Sequence, residues 1–175
     1  MPNLIPVEPD QSTGKTRELY DYIQTNAGRI PNLFRLMGNS PVALKAYLDF
    51  SATMRQSALP KGLAELIGVA TTAACGAEYT AIGARGLAHA AGLSEAAISQ
   101  AQAGRSDDPK TAAALAFAQS LVERRGEVGA SEVAALRAAG FSDADVAELV
   151  AVVALNLYRS YFSSVADPEL DFERA

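Results

Sequence analysis

The sequence is poor in the residues from which metal and redox centres are usually built. Its 175 residues include one cysteine, one histidine and no tryptophan. A single cysteine excludes an intramolecular disulfide and any thiolate metal cluster. A single histidine excludes a multi-histidine metal centre and leaves only carboxylate-dominated sites. We therefore expect a protein without a metal or another cofactor.

Positive charge and long apolar runs are also scarce. Fifteen Lys and Arg against twenty Asp and Glu give a net charge of -5, and no stretch gathers basic residues into a stripe. This argues against nucleic acid or an anionic membrane as a partner. No segment approaches the roughly 20 uninterrupted apolar residues of a membrane span, and the N-terminus, MPNLIPVEPD, lacks the order of a signal peptide. We expect a cytoplasmic protein.

Apolar residues are plentiful, at 49% of the chain. Such a chain can bury enough surface to offset its ordering entropy, and its length fits one domain. β-Branched residues follow helical periodicity rather than strand alternation, so we predict an all-α fold of about eight helices. Residues 1–13 are expected to form an extended arm, because Pro2, Pro6 and Pro9 disfavour helix. Residues 14–175 are expected to form the helical domain.

Local signals place the helix boundaries. The predicted segments are residues 15–25, 33–37, 62–74, 77–91, 95–103, 109–125, 131–139 and 143–165, and another helix that opens at Pro41. Serine or aspartate is expected to cap several helix starts, and glycine to end several helices: Ser40, Ser94, Asp108 and Ser142 at starts, and Gly28, Gly76 and Gly92 at ends. The segment 62–74 is apolar nearly all round, so it should be buried on several sides.

An internal repeat with an offset of 83 links the two most apolar helices. AELIGV at residues 64–69 recurs as AELVAV at residues 147–152, and Thr80 pairs with Ser163 at the same offset. Each half would then carry a carboxylate in an apolar helix, followed by a turn of small and aromatic residues. Two related helix pairs packed about a pseudo-twofold axis would bring these elements together. The alternative is a chance match produced by shared helix composition.

Several motifs together resemble one known family. They are GRIPNLF at 28–34, SP at 40–41, LAELI at 63–67, AGLS at 91–94, VALN at 153–156, YF at 161–162 and VAD at 165–167. They resemble the alkylhydroperoxidase-D-like, peroxidase-related branch of the carboxymuconolactone decarboxylase superfamily, over residues 15–172. The resemblance implies an all-α fold, obligate homo-oligomers and an active site at the bend after the helix that bears the glutamate.

The chain departs from the redox members of that family. They carry a glutamate, then two cysteines and a histidine at fixed spacing. Here Glu65 matches the glutamate, whereas Ala77, Thr80 and Ala84 stand at the three other positions. Cys75 lies two positions too early and has no second thiol. Thiol peroxidases need a thiolate and a resolving thiol, so we expect that chemistry to be absent.

Glu65 is the first candidate for catalysis. A carboxylate in an apolar helix is costly unless it is paired, and burial raises its pKa toward the range useful to a general acid or base. The alternative is a structural role, in a salt bridge to Arg85 or Arg159 or a hydrogen bond to a backbone amide. Its repeat mate, Glu148, is expected to be structural, because it follows an exposed first turn.

The turn formed by Glu78, Tyr79 and Thr80 occupies the family's active position. The resemblance implies that Glu78 and Tyr79 act as acid and base and that Thr80 donates a hydrogen bond. Glu78 can equally be a charge that complements the helix start. Arg85 is a candidate to neutralise an anionic substrate, or a surface arginine at an oligomer rim. His89 is expected to point away from this turn, unless a partner subunit brings it back.

The second repeat supplies the remaining candidates for binding substrate: Tyr158, Arg159, Tyr161 and Ser164. Two phenols, an arginine and hydroxyl groups suggest a pocket for an oxygenated aromatic or carboxylate ligand. The alternative is that Tyr158 and Tyr161 are core aromatics whose hydroxyls reach water.

The leading hypothesis is a cofactor-free enzyme that has lost thiol redox chemistry. It would perform acid/base chemistry, such as decarboxylation, lactone chemistry or isomerisation, on a small organic substrate. The alternative is a catalytically silent scaffold or a homo-oligomer that binds a small ligand, and residual alkylhydroperoxidase activity ranks last. We expect a stable homo-oligomer, because residues 62–74 and 146–158 offer more apolar surface than a monomer covers.

Overall fold

The computed structural model describes residues 1–172 and is helical throughout. Within those residues it has nine α-helices and no strand, so the all-α prediction is confirmed. The helices are α1 (Gly14–Ala27), α2 (Asn32–Met37), α3 (Pro41–Met54), α4 (Lys61–Cys75), α5 (Glu78–Ala90), α6 (Glu95–Gln102), α7 (Pro109–Glu123), α8 (Ala130–Ala138) and α9 (Asp143–Ala166).

Residues 1–13 precede the first α-helix and contain one 3-10 turn, Pro9–Gln11. Backbone hydrogen bonds tie this arm to two distant elements. The Asn3 amide donates to the Ala166 carbonyl at 2.9 Å, and the Val7 amide donates to the Arg35 carbonyl at 3.0 Å. The arm therefore lies along the body of the molecule, between α2 and the end of α9.

The predicted serine and aspartate caps are confirmed. In each case a side-chain oxygen accepts from a backbone amide three residues on, as at Ser40, Ser94, Asp108 and Ser142. Gly76 ends α4 with a φ of 66°, a left-handed conformation that glycine adopts without steric cost. This tight turn lets α5 begin at Glu78 and fold back beside α4.

The core has two parts. The larger part surrounds α4, whose Ile67 and Ala70 are fully buried and which packs against α5, α6, α7 and α9. The smaller part is richer in aromatics and joins α1–α3 to the start of α5 through Tyr20, Tyr47 and Tyr79. The expectation that α4 is buried on several sides is confirmed.

Helix α9 packs against α2, α3, α4, α5, α7 and α8. It is the one helix within residues 1–172 that is long and apolar enough to cross a membrane by length and composition, a test that core helices of soluble proteins also pass. The second half of the repeat lacks the turn that ends α4 in the first half. Arg159 occupies the position that Gly76 has in the first half, so α9 continues without a turn.

Candidate functional site

Glu65 lies on α4 and is half-buried. Burial raises the pKa of this carboxyl group, and the positive charges of Arg159, Lys61 and Arg55 offset only part of that rise. Within residues 1–172, Glu65 takes part in none of the side-chain hydrogen bonds or ion pairs that the structure shows. A desolvated carboxyl group with an open hydrogen-bonding position can exchange a proton with a ligand.

Arg159 lies on α9, and its positive charge acts on Glu65. Its Nη2 donates to Asn156 Oδ1 at 2.8 Å, and the Asn156 amide group in turn donates to the Val152 carbonyl at 2.9 Å. Arg159 Nε is buried and has no partner among the described residues. Gly68 allows the approach of Asn156, because a Cβ there would lie 3.3 Å from Asn156 Oδ1.

A cluster of hydroxyl and thiol groups lies one residue further along α9. Thr80 Oγ1 is 3.2 Å from Ser160 Oγ and also donates to the Ala77 carbonyl at 3.0 Å. Cys75 is a free cysteine that hydrogen-bonds Ser160, and burial raises the pKa of its thiol. The neutral thiol is therefore favoured, and it is a weaker nucleophile than a thiolate.

Tyr79 lies in the smaller core. Its hydroxyl donates to Asp171 Oδ1 at 2.8 Å and accepts from the Leu33 amide at 3.3 Å. The Phe172 ring lies 4.7 Å from the Tyr79 ring, and Asp171 Oδ2 accepts from the Asn32 amide at 2.8 Å. Burial and the bond to Asp171 raise the pKa of Tyr79. The phenol is thus fully engaged in holding the C-terminal segment.

Arg85 and His89 both face α6. Arg85 donates to Gln102 Oε1 at 2.7 Å and to Glu95 Oε1 at 2.5 Å, and His89 Nε2 lies 3.1 Å from Glu95 Oε2. The hydrogen bond from Arg85 is the main reason why the pKa of Glu95 is lowered. These residues form a bridge between α5 and α6, and the structure does not bring them together with Glu65.

The other candidate side chains on α9 lie toward its outer surface. Tyr158 is 37% exposed and stacks on Tyr47 of α3 at 6.1 Å, while Tyr161 is 61% exposed. Ser164 is exposed, as is Glu78 in the first turn of α5. The structure therefore places Thr80 within hydrogen-bonding distance of Ser160, and it places Arg159 where its charge acts on Glu65.

Glu148, the repeat mate of Glu65, has a different environment. Its Oε2 accepts from the backbone amides of Ala58 at 2.9 Å and Leu59 at 3.3 Å. This carboxylate therefore anchors the loop before α4, a structural role as expected from its position.

Similarity to known proteins is found by comparing three-dimensional structures. No family model and no curated protein matches the sequence. An uncharacterised peroxidase-related protein from Ralstonia eutropha JMP134, described as an alkylhydroperoxidase AhpD core, superposes with a TM-score of 0.87 at 22% identity, over 97% of this chain and 92% of that chain. The chain has the alkylhydroperoxidase AhpD-like fold.

Two further structures share this AhpD-like fold. The debrominase Bmp8, with a cysteine replaced by alanine and in complex with 2,3,4-tribromopyrrole, gives a TM-score of 0.82 at 19% identity, over 96% of this chain and 91% of that chain. An uncharacterised peroxidase-related protein from Silicibacter sp. TM1040 gives 0.80 at 17% identity, over 99% and 91%.

Sequence reasoning missed three residues that the AhpD-like structure places beside the candidates. Asn156 and Ser160 orient Arg159 and Thr80, and Asp171 binds Tyr79. The repeat could have indicated Ser160, because Ser160 corresponds to Ala77 at the offset of 83. No sequence pattern around Asp171 indicates that it binds Tyr79. In the part of the chain that the structure describes, no group of three or more His, Cys, Asp and Glu could hold a metal ion.

Proposed function

We propose that this protein is a cofactor-free enzyme in which Glu65 serves as general acid and base on a small organic substrate. The observation that carries the proposal is the environment of Glu65: a half-buried carboxyl group whose pKa is raised by burial, under the influence of the Arg159 charge, and outside the hydrogen bonds that the structure shows within residues 1–172. Groups in that condition concentrate at catalytic sites.

The proposed chemistry needs only one positioned side chain that can accept a proton and donate it again. As a carboxylate, Glu65 can remove a proton from a carbon next to a carbonyl group, and the resulting carboxyl group can return the proton to a second atom of the same substrate. The net result is an isomerisation, and Glu65 ends as it began. Decarboxylation and the opening or closing of a lactone need the same kind of group. Arg159 stabilises whichever anion is present at each stage.

The proposal includes the loss of thiol redox chemistry. Cys75 is the single cysteine of the chain, and burial favours its neutral thiol. A thiol peroxidase cycle would need a second thiol to resolve the oxidised one. The fold is shared with a debrominase, which supports an enzymatic role on a small molecule. The cysteine that is replaced in that debrominase structure is not used to assign a role to any residue of this chain.

The test is proton exchange, which does not require the natural substrate. A panel of lactones, β-keto acids and enolisable ketones is incubated in deuterated buffer, and deuterium incorporation is followed by proton NMR. We expect the wild-type protein to exchange at least one compound and Glu65→Gln to lose about 10²-fold in rate. Glu148→Gln is the matched control and should keep the rate per folded molecule. Equal exchange by wild type and Glu65→Gln would refute the assignment.

We also propose that the protein is a cytoplasmic homo-oligomer that associates through α9. The outer face of α9 is apolar: Val150, Tyr161 and Val165 are 43%, 61% and 65% exposed. These residues recur at helical spacing, and the stripe carries no charge, so it can pack against the same stripe of a second copy.

Light scattering tests the association. Tyr161→Lys should lower the measured mass to that of a monomer, whereas Tyr22→Lys should leave it unchanged because Tyr22 is a half-exposed tyrosine on α1. A wild-type mass equal to that of one chain at micromolar concentration would contradict the proposed association. It would not affect the assignment of Glu65, which the proton-exchange experiment tests separately.

A further inference from the structure

A groove of about 270 Å³ lies between the end of α7 and the outer face of α9. It is lined from α9 by Val150, Ala154, Leu157 and Tyr161, among others, and from the turn after α7 by Arg125. Ala154 has the smallest side chain of these residues, so the surface of α9 is hollow at that position. The groove is on a different face of α9 from Arg159, because the two residues from 159 to 161 turn an α-helix by about 200°.

The apolar residues on the outer face of α9 form one stripe, the α9 stripe, at intervals of three or four residues: Val150, Ala154, Leu157, Tyr161 and Val165. Such intervals keep side chains on one side of a helix. The α9 stripe has no charged residue, although the chain has a net charge of -5. A second copy can therefore approach this surface without like charges being placed against one another.

The α9 stripe is self-complementary in size about its midpoint. The midpoint lies between residues 157 and 158, and Ala154 and Tyr161 are equally far from it on opposite sides. Ala154 forms the hollow, whereas Tyr161 is 61% exposed and is the largest side chain of the stripe. When two α9 stripes pack antiparallel with their midpoints aligned, Tyr161 of each copy meets Ala154 of the other.

The antiparallel direction follows from these sizes. In a parallel pair each residue lies beside its own copy, so two Tyr161 rings meet and both hollows stay open. An antiparallel pair fills both hollows with the same contact, because every contact of a two-fold interface occurs twice. Close packing of this kind gains dispersion energy that an open hollow forfeits.

Arg125 adds a polar contact to the groove. Its backbone is left-handed, with a φ of 53°, which is sterically unfavourable for a residue with a Cβ. A hydrogen bond of 2.8 Å from the Gly126 amide to the Leu121 carbonyl fixes this turn. Arg124 pairs with Glu132, whereas Arg125 takes part in none of the ion pairs that the structure shows among residues 1–172. Its guanidinium group is therefore available to an aromatic ring that enters the groove.

We propose that the groove is a docking surface for a second copy of this chain, whose α9 lies antiparallel across it and whose Tyr161 fills the hollow at Ala154 beside Arg125. The inference rests on the association proposed above, because it names the direction and the contacts of that interface. Tyrosine and arginine in well-packed pockets commonly dominate the energy of an interface. The two Tyr161 side chains should therefore contribute most to the affinity.

The experiment exchanges the large residue and the small one in the full chain, and sedimentation equilibrium measures the dissociation constant of the association. Tyr161→Ala removes the side chain that fills the hollow, and Ala154→Tyr blocks the hollow, so each should weaken the association at least about tenfold. The double variant Ala154→Tyr/Tyr161→Ala again places a tyrosine opposite an alanine and should return to within about threefold of wild type. Tyr22→Ala is the matched control and should bind as wild type.

The outcomes separate this inference from the association itself. Residues 154 and 161 are exposed in a single chain, so the variants should melt as wild type does at concentrations where both are monomeric. If the two single effects add in the double variant, the pairing is overturned and the association through α9 stands. If neither single variant weakens the association, the groove is not the docking surface. A monomeric wild-type protein overturns the association and the pairing together.

Cross-linking tests the direction independently. In a Cys75→Ser background, which has no other cysteine, the double variant Val150→Cys/Val165→Cys is treated with a short bis-maleimide. The antiparallel pair places residue 150 of one copy beside residue 165 of the other, so covalent dimers should form. Either single variant should form none, because equal positions then lie about 22 Å apart along the helices. Covalent dimers of the single variants, or none of the double variant while the association persists, overturn the proposal.

Discussion

Two polar regions of the molecule differ in how completely their hydrogen bonds are satisfied. In the tyrosine network, which consists of Tyr20, Tyr79 and Asp171, each polar side chain binds at least two backbone or side-chain partners. At the α4–α9 site, Glu65 has no hydrogen bond and Arg159 keeps a buried donor free, as far as residues 1–172 extend.

The difference matches the structural role of the first region and the catalytic role that we propose for the second. Buried polar groups are nearly always paired, so a closed set of hydrogen bonds indicates a contribution to stability, whereas unpaired groups require another explanation. Arg35 tests this distinction, because its Nε is also buried without a partner among the described residues. The rest of its guanidinium group is, however, occupied by Glu8 and by Asn32 Oδ1.

The largest expected effect comes from crowding the tyrosine network. A Cβ on Gly38 would lie 2.0 Å from Tyr20 Oη, which is held by the carbonyls of Val7 and Arg35. Because that hydroxyl cannot move without losing its partners, Gly38→Ala should lower the free energy of unfolding by about 3 kcal/mol in urea denaturation. Gly86→Ala is the control and should be stabilising, since nothing lies near its added Cβ. Equal stability of the two variants would show that the network is loose.

Opening the network at Tyr79 should have a smaller effect. Tyr79→Phe removes the bond to Asp171 Oδ1 and the acceptor for the Leu33 amide, so stability should fall by about 1 to 2 kcal/mol. Turnover per folded molecule should stay the same, which thermal melting and deuterium exchange measured together will show. A large loss of deuterium exchange at unchanged stability would instead indicate that Tyr79 has a catalytic role.

The open site should reveal itself through pH. The pKa of Glu65 is raised in the folded state, so its contribution to stability is fully present below the ordinary value of 4.5 and is lost as pH rises through the raised value. Wild type should therefore lose stability relative to Glu65→Gln as the pH rises above 4.5. Asp145→Asn should show the opposite trend at low pH, because the pKa of Asp145 is lowered by its bonds to Ser142. A flat difference for Glu65→Gln would mean that the carboxyl group is well solvated.

The smallest effect is expected at Cys75. Cys75→Ser preserves a hydrogen-bonding group beside Ser160, so stability should change by less than about 1 kcal/mol. Peroxide consumption with a dithiol reductant should be absent in both proteins. Robust consumption that disappears in Cys75→Ser would contradict the loss of thiol chemistry and would place the active group at the turn after α4.

What the sequence predicts well is local. Ser40, Asp108 and Ser142 act on amides three residues away, so spacing alone identifies them as caps. The overall fold was predictable for a related reason, since the strongly apolar composition of the segment that forms α4 indicates burial on several sides. The motifs added the family resemblance, and the structural neighbours agree with it.

What the sequence predicts poorly depends on distant partners. Tyr79 looks catalytic by position, but its partner Asp171 is 92 residues away. Arg85 looks available for a substrate until Glu95 and Gln102 of the next helix bind it. The assignments of the remaining candidate residues stay predictions, and the environment of Glu65 is the part that the structure sharpens most.

The bond between the Asn32 amide and Asp171 links positions that are 139 residues apart, and the Asn3 amide reaches Ala166 across a longer interval still. During synthesis on the ribosome, α1–α3 emerge long before either acceptor exists. The start of α2 therefore remains incomplete until α9 has folded back, and contacts of such long range form slowly. The first half of the chain therefore completes its folding only after the second half has been synthesised. A truncated nascent chain exposes Tyr20 and Tyr47 of the smaller core, which the complete protein buries.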